Sequence, residues 1–98
     1  MSAQQRSAAQ PHSGNRLLFR EVNERLWALA SFATDGDSID LVCECGRADC
    51  LERLTVSLRT YDLLRRTPGY FAVVTGHAWP RDAVVEQLDL YDVVRADD

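Results

Sequence analysis

The chain places three cysteines within eight residues, in the spacing C-x-C-G-x-x-x-C. They are Cys43, Cys45 and Cys50, and the segment around them is polar and turn-like. A lone free cysteine is often a small buried hydrophobe, but three in one short polar loop fit that interpretation poorly. In a reducing compartment, clustered thiols are more often metal ligands or redox groups. The spacing therefore predicts a loop that folds around a metal ion, and zinc is the metal we expect.

The fourth ligand of this site must come from elsewhere, because structural zinc takes four thiolate or imidazole ligands in a tetrahedron. Our candidate is His77, which follows Gly76 at the end of a predicted strand. Gly46 permits the positive φ that turns the cysteine loop back on itself. The sequence therefore predicts a Zn²⁺ site whose ligands are Cys43, Cys45, Cys50 and His77.

Two alternatives to this ligand set remain open. An oxygen ligand can replace the imidazole, and the thiols can instead be unliganded, with Cys43 a plain core residue. Glu44 is expected to be a solvated loop side chain that projects away, and Arg47 a solvent-facing one, since most arginines are exposed. The oxygen ligands that compete with His77 are Asp49, Glu44, Asp82 and water.

The length of 98 residues allows one domain with a modest core, for which a metal is a common supplement. Residues 1–14 are polar and aperiodic and contain Pro11 and Gly14, so we expect a disordered N-terminal tail. Residues 15–98 form a single zinc-binding α+β domain in this interpretation. No apolar run resembles a signal peptide or approaches the roughly 18 residues of a membrane span, and we expect a cytoplasmic protein.

The segment from Asn15 to about Thr34 has helical periodicity, with Asn15 as a cap, and Asp35-Gly36-Asp37 supplies a turn after it. Glu21 and Arg25 are spaced for a favourable pair on its polar side. We expect the helix to face the core through its apolar residues at spacings of three and four. These are Leu18, Val22, Leu26, Leu29 and Ala33.

The remainder predicts short strands and one short helix. Ile39–Cys43 and Leu51–Val56 are expected to form a hairpin around the cysteine loop. Ser57 is a plausible N-cap for a helix to about Arg66, which Thr67-Pro68-Gly69 stops. Further strands are predicted at 70–74, 83–88 and 90–94. The last two are expected to form a hairpin near Asp89, with a helix followed by a strand as the alternative for this region. The predicted fold is α+β: a small, mostly antiparallel sheet packed by one long N-terminal helix and one short helix.

Charge and motifs narrow the function classes. The net charge is −4 with dispersed acids, whereas a nucleic-acid binder usually shows a basic stripe. The nearest basic group, Arg59, Arg65 and Arg66, is more typical of a solvated helix face. No nucleophile, base and oxyanion set is evident, and a closed site of three thiolates and one imidazole is structural, so we expect no enzyme activity.

Two functions remain, an adaptor or regulatory module that binds another protein and, as the alternative, a thiol-based redox sensor that uses the three cysteines. Aromatic residues are favoured in binding hot spots. Most of the aromatic residues are expected in the core or at its edge, and Trp79, in a loop before Pro80, is the candidate for contact with a partner. Oxidation of zinc thiolates can release the metal, which is the basis of the redox alternative.

Residues Cys43–Cys50 resemble the zinc-binding tail that follows SET domains in lysine methyltransferases. That resemblance implies that the three cysteines donate thiolates and that a fourth ligand arrives from elsewhere. It implies nothing about methyl transfer, because the chain is too short for a SET domain.

A wider resemblance covers roughly residues 18–77. The segments LFREVNERL, VCECGRADCLERLTVSLRTYDLLR and FAVVTGH are similar to a group of small bacterial proteins from high-GC genomes. The resemblance supports placing the cysteines and His77 in one site, and it implies no activity. The chain departs from the group's pattern at Thr60, where a capping-box glutamate is usual.

Overall fold

The computed structural model of the chain describes residues 11–33 and 38–96. It has the predicted α+β fold, with helices of the expected relative lengths and antiparallel strands. In chain order the elements are α1 (Pro11–Ala33), β1 (Ser38–Val42), β2 (Arg53–Ser57), α2 (Leu58–Arg65), β3 (Tyr70–Val74), β4 (Ala83–Gln87) and β5 (Tyr91–Arg95).

The long helix α1 begins at Pro11, four residues before the predicted start at Asn15. Proline suits the first helical position, because its φ is already helical and its missing N–H would have no partner there. Residues 1–10, which carry most of the predicted tail, and the turn predicted at 35–37 lie outside the described residues. Neither helix in the described part of the chain is long and apolar enough to cross a bilayer.

The β1–β2 hairpin around the cysteine loop is confirmed. Its strands are antiparallel, with Ser38 opposite Ser57 at the open end and Val42 opposite Arg53 beside the loop. The predicted cap of α2 is also confirmed, since the Ser57 hydroxyl accepts a 3.0 Å hydrogen bond from the Thr60 N–H. This cap forms with threonine, rather than a capping-box glutamate, at position 60.

The strands form two sheets rather than the single sheet expected from the sequence. One is the β1–β2 hairpin, and the other has the order β3-β5-β4. The β4–β5 hairpin is confirmed, with a register shift between Val84 and Glu86. The sheets stay separate because the cysteine loop occupies the outer edge of β3: the Glu44 N–H donates to the Ala72 carbonyl at 3.0 Å. The loop is thereby the joint between the two sheets.

The apolar face predicted for α1 does not face the core. The exposed fractions of Leu18, Val22, Leu26 and Leu29 are 53%, 40%, 38% and 67%. Among the α1 side chains described, the two that are buried are polar, Arg16 and Asn23. The helix turns this side inward because polar groups of the cysteine loop and β1 need partners there, and burying them unpaired would cost far more than exposing leucine.

The buried core is supplied by the two sheets, α2 and the cysteine loop. Trp27 of α1 is half-buried against it, and its indole N–H donates to the Leu58 carbonyl at 3.3 Å. The buried apolar residues are Leu41, Cys43, Cys45, Cys50, Leu54, Val56, Tyr61, Leu64, Phe71, Ala72, Val73, Tyr91, Val93 and Val94.

Candidate metal centre

The hairpin loop brings the three cysteines to one end of the first sheet. Cys43 directly follows β1, and its N–H extends the hairpin by donating to the Glu52 carbonyl at 2.9 Å. The chain then reverses at Gly46, whose φ of +85° is a conformation that favours glycine. A further turn, in which the Cys50 N–H donates to the Arg47 carbonyl at 3.1 Å, returns the third thiol to the first two.

His77 reaches the same place from the second sheet. It ends a turn that follows β3, in which its N–H donates to the Val74 carbonyl at 2.8 Å. Gly76 has a φ of +87°, the value that the third position of a type II turn requires and that disfavours other residues. Since the cysteine loop lies along the edge of β3, this turn delivers the imidazole directly to the thiols.

The four predicted ligands lie together, and we call Cys43, Cys45, Cys50 and His77 the Cys3His group. Their ligand atoms all lie within 4.8 Å of one another, so the group is positioned to hold a metal ion. The Nδ1 atom of His77 is 3.6 Å from the Sγ atoms of both Cys43 and Cys50. In a tetrahedral zinc site with ordinary bond lengths, a sulfur and a nitrogen are separated by about 3.6 Å.

The environment of the three thiols lowers the pKa of one of them and raises the pKa of the other two. Burial raises the pKa of Cys45, but hydrogen bonds from the Arg47 N–H, His77 and the other two thiols outweigh it and lower that pKa to about 7. Burial raises the pKa of Cys43 and of Cys50. The Val74 N–H also donates to the Cys43 sulfur, at 3.2 Å. Metal binding must therefore displace protons from the two thiols with raised pKa values, which makes affinity pH-dependent.

The other nitrogen of His77 faces outward. Its Nε2 atom lies 3.6 Å from a carboxylate oxygen of Glu52, whose side chain is largely exposed. Metal-binding histidines usually have such a carboxylate or carbonyl partner, which orients the ring and selects the tautomer that leaves the coordinating nitrogen unprotonated. Glu52 thus suits the role of orienting the imidazole with Nδ1 toward the sulfurs.

Arg47 is half-buried, contrary to the prediction that it is a solvent-facing loop residue. Its guanidinium lies over the Trp79 ring, 4.3 Å from the centroid, and donates to the His77 carbonyl at 3.1 Å. The Trp79 indole N–H donates to the Cys45 carbonyl. These contacts connect the cysteine loop to the segment after β3, so both side chains help to hold the Cys3His group together.

Glu44 is wholly buried, so the prediction of a solvated side chain is wrong. Its carboxylate turns away from the Cys3His group and accepts hydrogen bonds from four residues. Donors are the Tyr61 hydroxyl at 2.7 Å, the Asn23 amide at 2.9 Å and the Ala72 N–H at 2.9 Å. The Arg20 guanidinium completes the set with bonds of 3.1 and 3.2 Å. Because these donors saturate the carboxylate, Glu44 is not available as a metal ligand.

Asp82, another candidate oxygen ligand, is also engaged elsewhere. Its two carboxylate oxygens accept hydrogen bonds from Arg16 at 3.1 and 2.9 Å, and one of them accepts the Trp79 N–H at 2.9 Å. Arg16 also donates to the Glu44 carbonyl at 2.9 Å. Asp49 is exposed and lies outside the group of four. The geometry thus favours His77 over these carboxylates.

Sequence reasoning missed the residues of α1 that support the loop. Asn23 pairs with the backbone of Val42 at the free edge of β1. Its side-chain NH2 donates to the Val42 carbonyl at 2.8 Å, and its side-chain oxygen accepts a hydrogen bond from the Val42 N–H at 2.9 Å. Arg20 also donates to the Tyr70 carbonyl, and its guanidinium lies 4.7 Å from the Phe71 ring centroid. The available signal was the spacing of Arg16, Arg20 and Asn23 on one helical face, which the neighbouring leucines obscured.

Alkaline pH is expected to destabilise the fold through Tyr61. Burial and the Glu44 carboxylate raise the pKa of Tyr61. The unfolded chain releases this proton near pH 10 while the folded protein keeps it, so stability falls as pH rises above about 10. Tyr61→Phe is expected to lose about 1–2 kcal/mol at neutral pH and to show a shallower decline above pH 10. Urea unfolding at a series of pH values measures how the free energy of unfolding of wild type and of Tyr61→Phe falls above about pH 10. An equally steep fall in both proteins would contradict the role of Tyr61.

Comparison of the chain with known protein families, curated proteins and solved structures gives no match in any of the three. The resemblances to the SET-associated zinc tail and to the small bacterial proteins therefore stay predictions. The functional evidence is the site itself, a Cys3His group positioned to hold a metal ion within an α+β fold.

Proposed function

We propose that the Cys3His group binds one Zn²⁺ ion in a closed structural site, and that the protein is a small interaction module rather than an enzyme. The observation that carries the proposal is the match between the two 3.6 Å sulfur–nitrogen distances and a zinc tetrahedron. Three thiolates and one imidazole fill all four positions, so no site remains for a reactive water.

The position of the group in the fold supports a structural role. Its cysteines come from the loop of the first sheet, and its histidine follows β3 of the second sheet. One ion would therefore cross-link the two sheets at the cysteine loop that joins them. A short chain with a modest core gains most from such a cross-link.

The charge distribution supports a protein partner rather than nucleic acid. Of the three arginines near α2, Arg65 pairs with Glu24 at 3.1 Å and Arg66 with Asp62 at 3.0 Å. These pairs offset the positive charge that a phosphate backbone would need. We propose that the module acts in the cytoplasm, where reducing conditions keep thiols available for metal.

Metal content tests the proposal directly. Protein purified without added metal is expected to contain about one zinc per chain by elemental mass spectrometry, with its thiols masked until the protein is denatured. Asp49→Asn, in the same loop but outside the group, is the matched control and should retain the zinc. A metal-free protein with three freely titrating thiols would contradict the proposal.

The close approach of the three thiols favours a redox sensor as the second candidate. Peroxide would oxidise two thiolates to a disulfide, itself being reduced to water, and the zinc would be released. A sensor should lose zinc in mild peroxide and regain it after reduction with zinc present. A structural module should keep its zinc under the same treatment, so this measurement separates the two functions.

A further inference from the structure

Four apolar side chains form a continuous exposed row along α1. We call Leu18, Val22, Leu26 and Leu29 the apolar row; their exposed fractions are 53%, 40%, 38% and 67%. Successive members are three or four residues apart, so they lie along one side of the helix. Scattered exposed leucines are ordinary in proteins, but a row along one helix side is typical of a docking surface.

The apolar row cannot pack into the core of its own chain. The inward side of α1 is already committed to the cysteine loop, where Arg20 and Asn23 bond the buried Glu44 carboxylate. Rotating the helix to bury the row would remove these bonds and leave that carboxylate unpaired, which is strongly unfavourable. The row must therefore be covered by something other than the sheets it flanks, or stay in water.

The arrangement of the row is self-complementary. The outer pair is Leu18 and Leu29, and the inner pair is Val22 and Leu26. The midpoints of both pairs fall close to residue 24 of the chain. In two antiparallel copies of α1 related by a two-fold axis at that point, Leu18 meets Leu29 of the second copy and Val22 meets Leu26 of the second copy. An isologous dimer interface requires this property, in which one patch matches itself.

The charges beside the row have the same symmetry. Glu21 and Arg25 lie together on its outer flank, and their own midpoint, at residue 23, is within about one residue of the midpoint of the row. The two-fold axis that pairs the row therefore places Glu21 of each copy next to Arg25 of the other. The dimer would thus contain two intermolecular ion pairs. No ion pair within 4 Å occupies either residue in the described part of the chain.

From this self-complementarity we propose that the apolar row is the interface of a homodimer, in which α1 packs antiparallel against α1 of a second copy. A helix of 23 residues is about 34 Å long, enough for several turns of contact. The interface is small compared with permanent dimers, so its dissociation constant should be on the order of micromolar. The proposal does not depend on the proposed zinc function.

Sedimentation equilibrium of the metal-loaded full chain, from about 1 to 300 µM, measures the dissociation constant. Leu29→Glu is expected to raise it by about 100-fold or more, because two apolar contacts become two buried charges. The matched control is Leu17→Glu, since Leu17 is 63% exposed and lies on another side of α1. This control should leave the dissociation constant within about 2-fold of wild type.

A charge exchange tests the antiparallel register. Arg25→Glu places like charges in contact twice and is expected to weaken the dimer by about tenfold. Combining it with Glu21→Arg should restore most of the affinity. A monomeric wild type, equal effects of the two leucine variants, or no restoration by the double exchange would each overturn the proposal. A monomer would instead assign the row to residues 1–10 or to a different protein.

Discussion

Chelation of the metal from the purified protein is expected to lower its melting temperature by about 15 °C or more, or to abolish cooperative melting. Structural zinc contributes its binding free energy to folding, and each kcal/mol shifts the melting of a domain this small by about 4–8 °C. Cys45→Ser removes one buried ligand and should have an effect of similar size. Differential scanning calorimetry under reducing conditions measures both changes.

Combining chelation with the Cys45→Ser substitution distinguishes an effect of metal loss from an effect of altered packing. Once Cys45→Ser has lost its metal, chelator should change its melting temperature little, and added zinc should restore the chelated wild type. Asp49→Asn should melt within about 2 °C of wild type, because Asp49 is exposed and outside the Cys3His group. Unchanged melting after both chelation and Cys45→Ser would eliminate the structural zinc site.

Glu44→Gln is expected to destabilise the protein by about 3–5 kcal/mol, which is the second large effect. The substitution keeps the size of the side chain but removes the negative charge that faces the largely buried Arg20 guanidinium. Breaking one side of a buried ion pair leaves an uncompensated charge, which costs far more than the intact pair contributes. Urea unfolding of the zinc-loaded protein measures the change in free energy of unfolding.

The matched control for Glu44→Gln is Glu24→Gln. Glu24 pairs with Arg65 at 3.1 Å, but this pair is partly exposed and screened by solvent. Its loss should change the free energy of unfolding by less than about 1 kcal/mol. Zinc content should stay at one per chain in both variants. A loss below about 1 kcal/mol for Glu44→Gln would refute the argument for the buried charge network.

Local signals made much of the site predictable. The cysteine spacing predicted a loop that gathers three thiols, and the structure brings them within 4.8 Å of one another and of His77. The β1–β2 hairpin, the Ser57 cap and the strand at 70–74 depend on short-range patterns and were also predicted. Turn chemistry at Gly46 and Gly76 acts within a few residues, so it is readable without the fold.

The predictions that were wrong concern which side of a helix is buried and what surrounds a charged side chain. The periodicity of α1 identified a helix, but the side with the leucines is exposed and the side with Arg16 and Asn23 is buried. Glu44 in a polar loop was expected to be solvated, yet it is the centre of a buried network. Hydrophobic patterning could not anticipate this, because it treats a charged side chain as outward unless its partners are known.

By itself the sequence determined the elements of this protein and the identity of its candidate metal ligands, because caps, turns and ligand spacing act over a few residues. Only the tertiary structure decided which side of α1 is buried and why the strands form two sheets. Both outcomes follow from Glu44 and the loop that carries it, whose partners Arg20, Tyr61 and Ala72 lie 17 to 28 residues away. Such a network forms only when distant segments meet, since each member is costly to bury until all the others are present.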